Sequence, residues 1–140
     1  MIIVTGASRG LGRSVAERLI SSGREVLSLS RTSEGAPGDS VTCDVSDYEA
    51  VKAVAQSLRK EKREIEGLVN AAGIASMNLA VTTPPSMIQK LIQTNLAGTI
   101  HCCQLFAPLM IRKKAGSIIN FSTIAVTLGL KGESIYAASK

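Results

Sequence analysis

Tryptophan is absent, phenylalanine and tyrosine occur twice each, and aromatic residues make up only 3% of the chain. That scarcity argues against a nucleic-acid platform, in which bases stack on rings set among basic side chains. The formal net charge of +5 therefore has no stacking surface to serve. It suits a phosphorylated cofactor or an acidic acyl carrier, without selecting between them. Histidine occurs once, at His101, so a Ser-His-Asp or Cys-His nucleophile would have to run through it, and no serine motif accompanies it. No apolar run approaches the roughly 20 residues that cross a bilayer, and the N-terminus lacks the charged start and cleavage site of a signal peptide. Of the three cysteines, Cys102 and Cys103 are adjacent and ill placed to bridge each other, while Cys43 lies in a strand-like run. These absences predict a soluble, cytoplasmic protein with reduced thiols and neither nucleic acid nor membrane as partner. His101-Cys102-Cys103 is not a metal site on this reading, because consecutive helical residues point about 100° apart and ligands must converge. They are expected to be packing residues, and no metal is expected.

What the chain does hold is a turn rich in glycine. Ile2, Ile3 and Val4 lead into Thr5-Gly-Ala-Ser-Arg-Gly-Leu-Gly12, and a helical pattern leaves it. Strand, glycine turn and helix in that order let the backbone turn sharply and approach a ligand closely at Gly6, Gly10 and Gly12. The free amides of Ser8, Arg9, Gly10 and Leu11 at the helix start, together with the helix dipole, favour a pyrophosphate. A dinucleotide is the ligand this implies; a purely structural turn is the alternative.

Leu11, Val15 and Leu19 recur at helical spacing, with Ala16 and Ile20 widening the stripe that should face a sheet. Gly23 is placed to end that helix, and Glu25 to Ser30 reads as a second strand, parallel to the first through a right-handed crossover. Ser30-Arg31 follows, where an acid would hold a ribose 2′-hydroxyl and an arginine a 2′-phosphate. With Arg31 there, Arg9 in the glycine turn and no carboxylate at Ser30, NADP is favoured over NAD, unless both arginines are simply solvated. Thr32 to Ser40 reads as a surface loop and Val41 to Val45 as a third strand. Ser46 and Glu49 have the spacing of a capping box opening a second helix. Arg59 to Glu64 is six consecutive charges, read as a solvated helix end. Ile65 to Asn70 is a fourth strand, Pro84 to about Arg112 a long helix, Gly116 to Ser122 a fifth strand, and Ser134 to Lys140 the first turns of a last helix. The whole is expected to be one α/β domain, a Rossmann-like doubly wound parallel sheet in three layers with strand order 3-2-1-4-5.

Tyr136 and Lys140, at i and i+4, share a face of that last helix. Taken with the glycine turn, Asp44-Val45, Asn70-Ala71-Ala72-Gly73, Asn95-Leu96-x-Gly98 and a strand-end hydroxyl, all in order, the chain resembles the short-chain dehydrogenases/reductases of the non-extended type, among them the 3-oxoacyl-carrier-protein reductases. The resemblance implies that Asp44 and Val45 meet the adenine ring; from the residues alone, Asp44 could equally cap a turn. It implies that Asn70 to Gly73 pass close to the cofactor, Ala71 standing where the family has a second asparagine. It implies that Asn95 kinks its helix and helps hold a water on the proton path. Tyr136 becomes the acid, and Lys140 both lowers the tyrosine pKa and holds the nicotinamide ribose. The polarising hydroxyl, a serine thirteen positions before the tyrosine in the family, falls on Thr123, with Ser122 beside it as the alternative.

The activity so implied is NADPH-dependent interconversion of a carbonyl and a secondary alcohol, on a small molecule or a 3-oxoacyl thioester of fatty acid biosynthesis held by a carrier. The resemblance also implies a homo-oligomer, dimer or tetramer, and a chain that continues beyond Lys140, so that residues 1–140 alone would be inactive and poorly folded. A non-catalytic dinucleotide-binding regulator, or a half-domain completed by a partner, are the other readings. Cofactor turnover separates the first from an enzyme, and the mass of the natural product separates the second.

Overall fold

A computed structural model describes residues 1–111 and 113–140. Five strands, β1 (Ile2–Thr5), β2 (Val26–Ser30), β3 (Asp39–Thr42), β4 (Gly67–Asn70) and β5 (Ser117–Asn120), form one sheet. The sheet order is β3-β2-β1-β4-β5, with every neighbouring pair parallel. This is the expected doubly wound order, and the strand order reverses between β1 and β4. Between the strands run α1 (Gly10–Ser21), α2 (Tyr48–Lys60), α3 (Pro85–Leu91), a π-helical segment (Ile92–Ala97) and α4 (Gly98–Ile111). Two short helices, α5 (Ala125–Leu128) and α6 (Ser134–Ser139), follow β5. The long helix expected to reach Arg112 is described as far as Ile111; Arg112 itself lies outside the described residues.

The three layers follow from strand alternation. Ile3, Leu27, Leu29 and Leu68 point to one face, where Val51, Leu58, Cys102 and Phe106 of α2 and α4 cover them. Ile2, Val4, Val26 and Val69 point to the other, against Val15, Ala16 and Leu19 of α1. Parallel strands covered on both faces need apolar residues at successive positions, which is why β1 and β4 read as unbroken runs. Ser28 breaks the run in β2, and its hydroxyl is satisfied by donating to the Pro37 carbonyl at 2.6 Å.

Several local expectations shift. Leu11 is 68% exposed rather than packed on the sheet. A Cβ at Gly12 would stand 2.4 Å from the Gly6 carbonyl oxygen, so glycine takes the line of closest approach and Leu11 is turned outward. The third strand lies at Asp39–Thr42, short of the expected Val41 to Val45, and leaves Cys43, Asp44 and Val45 on the chain beyond its end. The cap of α2 is Asp47, which accepts from the Glu49 and Ala50 amides at 3.0 and 3.2 Å, and not Ser46. Ser46 is engaged instead by Asp44. At the far end of α2 the charge run is more than a solvated tail: Arg63 pairs with Glu25 and Asp39, tying the chain before β4 to the starts of β2 and β3.

Candidate functional site

The glycine turn between β1 and α1 lies at the C-terminal edge of the sheet, beside the reversal of strand order. Gly6 and Gly10 take the left-handed conformation, φ +69° and +57°. A Cβ at Gly6 would lie 2.7 Å from the Ala72 Cα, so this glycine lets the turn and the β4 exit touch. A Cβ at Gly10 would meet nothing within 4 Å and would project into open space. The first turn of α1 carries no acidic residue and no side-chain cap, so its amides and the positive end of its dipole stay available to an anion.

These residues line one cleft of about 530 Å³. Gly6, Ser8, Arg9, Gly10, Leu11 and Gly12 form one wall, Ser30, Arg31, Asp44 and Val45 a second, and Ala71, Ala72 and Gly73 a third. Thirteen of the residues singled out from the sequence thus converge on one space. Ser30 is buried, and its hydroxyl donates to the Thr32 carbonyl. Asp44 accepts from both the amide and the hydroxyl of Ser46 at 2.9 and 2.7 Å, so it closes a turn, while still bordering the cleft. Burial alone would raise its carboxyl pKa; the two Ser46 hydrogen bonds and the Arg31 guanidinium outweigh that and hold it below the usual carboxylate value.

Thr5, which sequence reasoning passed over, organises the third wall. Its buried hydroxyl oxygen accepts from the Ala71 and Ala72 amides at 3.1 and 3.0 Å, replacing the partners those amides lose when β4 ends. Asn70, just before, donates to the Asn120 side chain across β4 and β5 at 2.8 Å.

Asn95, Tyr136, Lys140 and Thr123 do not line the cleft; of the four, Asn95 and Lys140 stand at its Gly73 end. A Cβ on Gly73 would lie 3.2 Å from Asn95 Oδ1 and 3.6 Å from Lys140 Nζ. Asn95 sits in the π-helical segment and is buried. Its Oδ1 accepts from the Ile74 amide, and its Nδ2 donates to the Ile74 carbonyl and to Ser139 Oγ. The side chain therefore clamps the chain after Gly73 to α6, the helix that carries Tyr136 and that Lys140 directly follows. Burial lowers the Lys140 pKa from its ordinary value. β5 ends at Asn120, so strand alternation does not reach Ser122 and Thr123. Thr123 Oγ1 accepts from the Ala125 amide at 3.2 Å, and Ser122 Oγ approaches the Lys140 carbonyl at 3.4 Å.

His101 and the cysteines serve packing. His101 Nδ1 stands 3.0 Å from the Val45 carbonyl, and its ring meets Tyr48 edge-on. Burial raises the thiol pKa values of Cys43 and Cys102 to about 11 and about 12. Leu29, Thr32, Glu34, Cys43, Ile74 and Thr94 also line the cleft and were not singled out from the sequence. Nothing in their spacing marks them, since it is the path of the loops that brings them there.

The family described as short chain dehydrogenase matches residues 1–140. Among curated proteins, the 3-oxoacyl-[acyl-carrier-protein] reductase FabG of Salmonella typhimurium is 32% identical over 147 aligned residues, covering 99% of this chain and 60% of that protein. Among solved structures, the ligand-free aldohexose dehydrogenase of Thermoplasma acidophilum superposes with a TM-score of 0.93 at 37% identity, covering 99% of this chain and 55% of that one. A 4-hydroxyisoleucine dehydrogenase complexed with NADH and succinate superposes with a TM-score of 0.91 at 25% identity, covering 99% of this chain and 66% of that one. The chain thus spans about 60% of the length of curated relatives it matches.

Proposed function

This chain belongs to the short-chain dehydrogenase family, and on that premise we propose that it is the cofactor half, with the reacting residues, of an NADPH-dependent oxidoreductase that interconverts a carbonyl and a secondary alcohol. The observation that carries the reading is the cleft itself. A helix start without acid or cap, a glycine whose missing Cβ leaves open space, and two arginines border one cavity large enough for a nucleotide. These residues fit a dinucleotide. The pyrophosphate would lie on the amides of the glycine turn, the adenine beside Asp44 and Val45, and a 2′-phosphate between Arg9 and Arg31, whose guanidinium groups suit it. Asn70, Ala71, Ala72 and Gly73 would lead the rest toward Lys140. A relative solved with NADH supports the use of a nicotinamide cofactor.

The bound cofactor supplies the hydride; the chain supplies the proton and the polarisation. Tyr136 donates its phenolic proton to the carbonyl oxygen as charge develops there. Lys140 supplies the positive charge that favours the phenolate left behind and holds the ribose hydroxyls, so one side chain tunes the acid and positions the donor. Thr123 donates a second hydrogen bond to the same oxygen. Asn95 holds α6, and so Tyr136 within it, in place. The similarity to carrier-protein reductases and the charge of +5 support a 3-oxoacyl thioester on an acidic carrier as the substrate.

The test is NADPH oxidation by protein containing this chain, against a panel of 3-oxoacyl thioesters, sugars and simple ketones. Turnover of the thioesters above the others is expected. No NADPH oxidation with any carbonyl compound would contradict the enzymatic reading.

A further inference from the structure

The loop from Thr32 to Gly38 folds back over the glycine turn instead of running away from it. Gly35 takes φ +72°, and a Cβ there would stand 3.1 Å from the Ser8 carbonyl oxygen and 3.6 Å from Arg13 Nη1, so only glycine seats the loop this closely. Ser30 fixes the start of the loop by its bond to the Thr32 carbonyl. The result is that Glu34 becomes part of the wall of the cleft, alongside Arg9 and Arg31. None of these three side chains forms an ion pair among the described residues. Exposed Glu34 thus borders the cleft that Arg9 and Arg31 also line, without an ion pair among the described residues.

We propose that Glu34 is a specificity-determining residue that limits the preference for a 2′-phosphorylated dinucleotide. The inference rests on the reading of the cleft as a dinucleotide site. Arg9 and Arg31 attract a 2′-phosphate, while the Glu34 carboxylate repels it and offers an acceptor to the 2′-hydroxyl of the unphosphorylated cofactor. The balance is that of a site that takes NADPH first and keeps measurable affinity for NADH. An acid four residues past the end of β2 does by loop geometry what an acid at the strand end would do directly.

Equilibrium titration with NADPH and NADH, in parallel on the wild type, Glu34→Gln and Arg31→Ala, tests this. Glutamine keeps a hydrogen-bonding oxygen and removes the charge. Glu34→Gln is expected to raise the ratio of NADPH to NADH affinity roughly fivefold, the scale of one unit charge acting across a solvated gap. The gain should shrink at about 1 M salt, where the screening length is about 3 Å. Arg31→Ala should move the ratio the other way. An unchanged ratio in Glu34→Gln beside a lowered one in Arg31→Ala overturns the inference and leaves the dinucleotide reading standing. Failure of the wild type to bind either dinucleotide overturns both. Should Glu34→Gln fold poorly, titration of the wild type with 2′,5′-ADP and 5′-ADP decides instead. The preference for 2′,5′-ADP should then be small; a preference of several hundredfold would overturn the inference.

Discussion

Tyr136→Phe removes one hydroxyl and keeps the ring, so it separates proton donation from packing. Turnover is expected to fall roughly 100- to 10,000-fold, the range for loss of a general acid, while NADPH affinity measured by titration changes little. Lys140→Met is expected to lower both. Burial lowers the Lys140 pKa, so the ammonium loses its proton earlier than a free lysine as pH rises, and the alkaline limb of the rate profile should begin below the ordinary lysine range. Stability moves the other way. Between the lowered and the ordinary pKa the unfolded chain binds more protons than the folded one, so this group's contribution to stability increases as pH rises through that window. Thr123→Ser should keep substantial activity and Thr123→Val should lose most of it. The reverse pattern, with Thr123→Val harmless and Ser122→Ala inactive, would move the polarising hydroxyl to Ser122. At this scale the sequence was a good guide to the residues of the glycine turn, where Gly6 and Gly10 take the left-handed conformation and line the cleft. It was a poor one to Thr5, Glu34 and Leu11, because a hydroxyl under a strand exit, a carboxylate on a folded-back loop and a leucine displaced by a neighbouring glycine acquire their surroundings from distant chain.

The helices and turns divide by what specifies them. Asp47→Ala should cost about 1 kcal/mol in denaturant unfolding, as a lost N-cap does, and Ser46→Ala should leave the α2 cap intact. The capping-box spacing at Ser46 misled because Asp44 competes for Ser46 and leaves the start of α2 to Asp47. In the glycine turn the expected consequences differ by position. Gly6→Ala drives a Cβ into the Ala72 backbone and should prevent stable folding. Gly10→Ala meets no atom and should cost roughly 1–2 kcal/mol for its left-handed backbone, yet lose dinucleotide affinity, because the methyl occupies the cleft. Thermal melts and NADPH titration on the two variants separate these effects. β3 was misplaced by two residues at its start because Asp39 and Ser40 carry no strand signal and the strand is exposed. Pairing with β2, from Leu27–Asp39 to Ser30–Thr42, defines it instead.

Across the whole molecule the strand order was legible because the first crossover, from β1 to β2 through α1, is short, the central strands are apolar on both faces, and a glycine turn between strand and helix marks the doubly wound class. The gathering of thirteen separated residues on one cleft follows from that topology, which brings the C-terminal ends of β1, β2 and β4 together. What topology could not convey is the path of the loops over that edge, and the proposed cofactor preference depends on them. The measurement that tests the account most directly is NADPH titration of the wild type and of Gly10→Val, a larger block at the same open position, with folding of both checked by circular dichroism. The account predicts saturable binding by the wild type, displaced by 2′,5′-ADP, and loss of binding in a folded Gly10→Val. Equal binding by the two, or none by a folded wild type, would contradict it.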